Sequence, residues 1–167
     1  WIGKRLPTEF EWEKAARGPA GLDLPYENAP SSARKQFNPF TEYAVGRFPA
    51  LASPYGIEDL VGPSFEWTSS WFAPYEGGDS AAARNTPAGT LKVVRGGARS
   101  SGMPPSNKPL ESSFREKRRP DRRETDVSFR CAAATTTAPD WIATEESPEK
   151  VGAPQAAAAA PAAVTPR

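Results

Sequence analysis

Apolar positions follow a helical period most clearly near the start of the chain, where Trp12, Ala15 and Ala16 share one face and Glu13 and Arg17 stand four apart on the other. Thr8 stands where an N-cap belongs, and Glu11, three residues on, completes a capping box. Gly18 supplies the left-handed stop. The pattern predicts a helix over Glu9 to Arg17 that packs through Trp12. Elsewhere the apolar residues come in short runs that read as strands over residues 65–69, 91–95 and 127–131. In the last run Val127, Phe129 and Cys131 alternate with Ser128 and Arg130, which predicts a common face and an inward thiol. Gly96 and Gly97 end the second strand or admit a close backbone approach. The predicted sheet is small.

Residues 18–52 carry Pro at positions 19, 25, 30, 39 and 49 together with Tyr26, Phe37, Phe40, Tyr43 and Phe48. A long segment of this kind is expected to stay loop-like and fold its rings back onto a core. From residue 134 onward Ala and Pro dominate, and Trp141 with Ile142 forms the main apolar spot. The expected organisation is a domain over residues 1–133 and an Ala/Pro-rich disordered tail over 134–167.

Composition sharpens this picture. The 167 residues include 19 Pro and 13 Gly, which favours irregular structure over a helical bundle. A net charge of +1 gives no reason to expect nucleic acid or an anionic membrane as partner, and no apolar run is long enough to span a bilayer. The absence of His excludes Ser-His triads and three-His metal sites built from these residues alone. A single Cys excludes an internal disulfide or a dithiol site.

Five blocks in order carry a resemblance: Arg5-Leu6-Pro7-Thr8-Glu9-Phe10-Glu11-Trp12 with Ala15-Ala16-Arg17-Gly18, Tyr55-Gly56-Ile57-Glu58-Asp59-Leu60, Phe65-Glu66-Trp67, Arg95-Gly96-Gly97, and Phe129-Arg130-Cys131-Ala132. Together they resemble the sulfatase-modifying factor family, which contains the formylglycine-generating enzymes. The resemblance implies an α+β, C-type-lectin-like fold with little regular structure and a small antiparallel sheet. It also implies an earlier portion of the domain, upstream of the block that opens at Gly3, which the chain is expected to need for full stability.

The family's activities include oxidation of a sulfatase Cys to formylglycine, sulfoxide synthesis and plain binding, so fold alone does not settle the chemistry. Formylglycine-generating members resemble one another in placing two Cys after Arg-Gly-Gly, where the thiolates hold Cu(I). Here that segment, residues 98–107, contains no Cys, so no catalytic residue is assigned and copper is disfavoured. The family also tends to bind calcium through loop oxygens. Glu66 and Asn38 are the candidates here, although Pro63 stands where the family usually has an Asn. The alternative for Glu66 is that it accepts hydrogen bonds from Arg or from the backbone.

Arg99, Arg115, Arg119 and Arg123 lie in the half that forms the substrate face of related proteins, and guanidinium forks suit peptide or carboxylate recognition. The acidic residues interleaved through 115–126 predict a solvated, partly ion-paired loop there. Arg95 and Arg130 are expected to pair with Glu66, Asp59 or Asp126 and hold loops. Trp67, Trp71, Phe72 and Tyr75 either line a groove or, in so small a domain, mostly join the core. The first functional expectation is a domain without formylglycine-generating activity that binds a peptide, glycan or protein. Alternatives are an oxygen-dependent oxidoreductase completed by another segment or chain, and a non-functional structural fragment.

Overall fold

The computed structural model describes residues 3–39, 41–62, 64–78, 86–97 and 111–134. It divides into a unit over Trp1–Ala133, which contains every element below, and a unit over Ala134–Arg167. Arg99, Phe40, the segment after Gly97 and the Trp141–Ile142 pair lie outside the described residues.

Helix α1 spans Glu9–Arg17, and both its ends are held as its sequence predicts. The Glu11 amide donates to Thr8 Oγ1 at 3.1 Å and the Thr8 amide donates to Glu11 Oε2 at 2.8 Å, satisfying two amides that lack helical partners. At the other end the Gly18 amide donates to the Lys14 carbonyl. A second helix, α2 (Ser31–Gln36), and a 3-10 turn over Pro49–Leu51 interrupt the segment expected to be all loop. Pro30 directly before α2 fixes the backbone turn into it.

Four strands follow: β1 (Phe65–Trp71), β2 (Lys92–Arg95), β3 (Arg115–Arg118) and β4 (Val127–Phe129). They form one sheet in the order β3-β2-β1-β4. β1 with β2 and β2 with β3 are antiparallel, but β4 runs parallel to β1, so the sheet is mixed rather than antiparallel. β1 runs two residues further than its sequence pattern suggested, through an irregularity between Trp67 and Trp71. β3 corrects a larger expectation. Its residues Arg115, Glu116, Lys117 and Arg118 lack any apolar alternation, yet they pair in full register with β2 as an edge strand.

The core lies where α1 meets the sheet and the turn before β1. Trp12, Ala16, Leu60 and Val61 form its centre, with Leu24, Tyr26 and Ile57 packed around it. Burying a ring such as Trp12 contributes about 1.5–3 kcal/mol. Gly96, at φ 83, runs so close beneath Trp12 and the Leu60 carbonyl that no side chain fits there. The described rings of this segment, Tyr26, Phe37, Tyr43 and Phe48, are half-buried and pack on one another. Phe37 meets Tyr26, Tyr43 and Phe48 edge-on at 5.1–5.6 Å between centroids.

Candidate functional site

Two carboxylates on α1, Glu9 buried and Glu13 half-buried, organise the charged interior. Glu9 is 3% exposed and receives Arg115 through two bonds, Nε to Oε2 at 2.7 Å and Nη2 to Oε1 at 2.9 Å. Tyr75 donates its hydroxyl to the same Glu9 at 2.9 Å. One turn on, Glu13 pairs with Arg17 at 2.9 Å and with the fully buried Arg95. Arg95 also donates to the Ser113 and Phe114 carbonyls at 2.6 and 3.0 Å. Its expected partners, Glu66, Asp59 and Asp126, are therefore replaced by Glu13. The reason is the spacing of α1, which sets Glu9 and Glu13 one turn apart toward the sheet.

Above this network the aromatic rings stay at the surface. Phe10 is 62% exposed, Trp71 47% and Tyr75 41%, so Trp71 and Tyr75 are not core residues. Cations lie over the rings: Lys92 is 3.7 Å from the Trp71 centroid, and Arg115 is 4.0 Å from that of Tyr75 and 4.7 Å from that of Phe72. Phe10 meets Tyr75 at 5.8 Å. Between them opens a groove of about 540 Å³ lined by Phe10, Glu13, Lys14, Arg17, Pro19 and Tyr75. Burial, followed by the bond to Glu9, pushes the Tyr75 phenol up to about 12. It therefore remains a hydrogen-bond donor at neutral pH, and no proton is drawn from it there.

A second concave site, about 600 Å³, lies beside β4 and is lined by Tyr43, Val45, Glu58, Asp59, Glu66, Phe129 and Arg130 among others. Both Glu66 oxygens are occupied. Arg130 donates through Nε to Oε2 at 2.5 Å and through Nη2 to Oε1 at 2.7 Å, while Trp12 Nε1 donates to Oε2 at 2.7 Å. This is the hydrogen-bonded alternative for Glu66. Among the described residues no group of three or more His, Cys, Asp or Glu is placed to hold a metal. Asn38 lies exposed in the loop after α2. The donor set at Glu66 does not fit a calcium cage, because a guanidinium already holds the charge a cation would need.

The remaining predicted residues are scattered. Arg115 is a structural partner of Glu9, and Arg119 pairs locally with Asp121 at 2.8 Å. Arg123 is exposed. Arg118, which was not singled out, pairs with Glu124 at 2.9 Å and stands 5.3 Å from the Phe65 ring. Cys131 is exposed, not inward, because β4 ends at Phe129, itself 67% exposed, and the face carrying both is uncovered. What the sequence reading missed is Phe10. A large ring on the polar side of an amphipathic helix was the available signal.

Comparison with known proteins agrees with the fold. The chain matches the sulfatase-modifying factor enzyme 1-like domain over residues 1–135. It is 32% identical over 136 residues to the serine/threonine-protein kinase pkn1 of Chlamydia caviae, covering 79% of this chain and 21% of that protein. It is 30% identical over 149 residues to the formylglycine-generating enzyme of Bos taurus, covering 80% of this chain and 40% of that one. Among solved structures it superposes on Treponema denticola variable protein 1 with a TM-score of 0.57 at 27% identity, covering 77% of this chain and 46% of that one. The chain thus spans between about a fifth and two fifths of these two curated relatives.

Proposed function

The chain belongs to the sulfatase-modifying factor family, and from that premise we propose that it is a binding domain without formylglycine-generating activity, taking a peptide, glycan or protein ligand in the groove beside α1. The observation that carries the reading is the pair of exposed rings Phe10 and Tyr75, which line a preformed cavity together with Lys14 and Arg17, with Arg115 stacked on Tyr75. Rings offer flat apolar contact to sugars and prolines, and the cations beside them favour carboxylate-bearing or hydroxyl-rich ligands. The Glu9–Arg115 and Glu13–Arg95 pairs support it by holding α1, which carries Phe10, Lys14 and Arg17, against the sheet.

Two further facts favour binding over oxidation. Residues 98–107 carry no Cys, and the chain's one thiol, Cys131, follows the strand at the far edge of the sheet from Arg115. One thiolate does not make the two-sulfur site that Cu(I) chemistry in this family resembles. The kinase relative also keeps about four fifths of its length outside the match, which suits a domain that accompanies other activities.

The test is a screen of peptide and glycan arrays, with hits measured by calorimetry. A genuine ligand loses at least about tenfold in affinity when Phe10→Ala removes the exposed ring. Hits that are indifferent to Phe10→Ala and to Lys14→Ala would refute the groove.

A further inference from the structure

Phe10, Lys14 and Arg17 follow the spacing i, i+4, i+7 on α1, so they form one row on the side of the helix opposite Trp12 and Ala16, and all three line the groove. The charges of this row are not equally available. Arg17 Nη1 donates to Glu13 Oε1 and its Nη2 to the Gly21 carbonyl, each at 2.9 Å. Asp23, with its side chain 82% exposed, stands 3.9 Å from the same guanidinium. Glu13, the acid of the lining, is held on its other oxygen by the fully buried Arg95. Its charge is matched inside the domain rather than presented to the groove.

Lys14 differs from its neighbours. It is exposed, and among the described residues its ammonium, with three donors, makes no ion pair. Around the groove Lys14, Arg17 and Arg95 stand against Glu13 and Asp23, three cations to two acids, while Glu9 and Arg115 behind Tyr75 cancel. The surplus positive charge sits on Lys14. The Tyr75 hydroxyl is engaged by Glu9 at 2.9 Å, and Arg115 covers its ring at 4.0 Å. What the groove offers is therefore the Phe10 ring, with Tyr75 beside it, and one free ammonium.

The helix sets the distance between these two features. Phe10 and Lys14 are four residues apart, about 6 Å along the axis at about 1.5 Å per residue. In an extended peptide, side chains two residues apart share one side and stand about 6.6 Å apart at about 3.3 Å per residue. We infer that the groove takes an extended peptide segment in which Phe, Tyr, Trp or Pro lies two positions from an Asp or Glu. The ring packs on Phe10 and Tyr75, and the carboxylate receives the Lys14 ammonium. This rests on the groove beside α1 being the binding site, and it adds the class of ligand, its charge and its spacing. Because the ion pair is exposed, the acidic residue sharpens the choice of peptide more than it adds affinity.

Titration of the whole isotope-labelled chain with capped peptides, taken to millimolar concentration and followed by amide NMR shifts, tests the assignment. The probe is acetyl-Ser-Gly-Trp-Ser-Glu-Gly-Ser-amide. Its counterparts replace Glu by Gln, replace Glu by Lys, or set Trp and Glu next to each other. The expected result is saturable shifts at Phe10, Lys14 and Gly18 with the Glu probe, and binding at least about threefold weaker for the Gln and adjacent counterparts. Lys14→Glu, a change on an exposed side chain, is expected to reverse the order so that the Lys probe binds best. Should Lys14→Glu lose its thermal transition, Lys14→Gln is expected to erase the preference for Glu over Gln. Groove shifts that are equal for the Glu and Gln probes, or an order unchanged by the Lys14 variants, overturn the acidic ligand and leave the groove standing. The absence of shifts with every probe overturns the peptide assignment, and shifts that saturate away from α1 overturn the groove as well.

Discussion

Arg130 reaches both oxygens of Glu66 while Trp12 Nε1 shares one of them, so a single carboxylate ties β1, the segment after β4 and helix α1 together. The Glu66 side chain is 8% exposed and that of Arg130 26%, which puts the pair among those whose breakage leaves an uncompensated buried charge. Glu66→Gln is expected to cost about 3 kcal/mol in urea unfolding, and added calcium to leave the wild-type transition where it was. A calcium-dependent rise in Tm that Glu66→Gln abolishes would restore Glu66 as a metal ligand. The pairing was half legible in the sequence: Arg130 and Glu66 sit in blocks that announce themselves. Which carboxylate takes Arg95 was not, since Glu13 and Arg95 lie 82 positions apart and only the packing of α1 on the sheet joins them.

At the scale of elements, α1 was readable because its signals are local. Its cap also sets a pH dependence. Arg5, followed by the Thr8 amide, holds the Glu11 carboxyl well below its ordinary value, at about 2. A depressed carboxylate contributes stability above its unfolded pKa and loses it as pH falls toward the folded one, so the contribution fades between about pH 5 and pH 2. With the side chain 45% exposed, solvent screening limits it to under about 1 kcal/mol. Thermal melts should therefore show wild type losing more Tm than Glu11→Gln across that window, and parallel curves would refute the contribution. The strands were less legible. β3 is a strand because β2 offers it a ladder, not because its own residues alternate. Cys131 was misplaced for a related reason: alternation along Val127, Phe129 and Cys131 gives a shared face but not whether anything covers it.

Across the whole molecule, the described domain invests its charges in holding itself together. Glu9, Glu13 and Glu66, each carried on α1 or β1, take up Arg115, Arg95, Arg17 and Arg130. The rings left most exposed are Phe10 and Tyr75 of the groove, Trp71 at the end of β1 and Phe129 on β4. No helix among the described residues is long and apolar enough to cross a membrane. Family and fold were visible in five short blocks of sequence, because those blocks hold the core turn at Leu60, the buried glycines and the Glu66 pair. The groove was not visible, because it depends on Phe10 and Tyr75 meeting although they lie 65 positions apart. The central claim is a family domain that binds without oxidising. Its most direct test is to incubate the chain with a Cys-bearing sulfatase peptide, Cu(I) and O2, and to titrate aldehyde with a hydrazide. The expected result is no aldehyde above the protein-free control, whereas repeated turnover to formylglycine would contradict it.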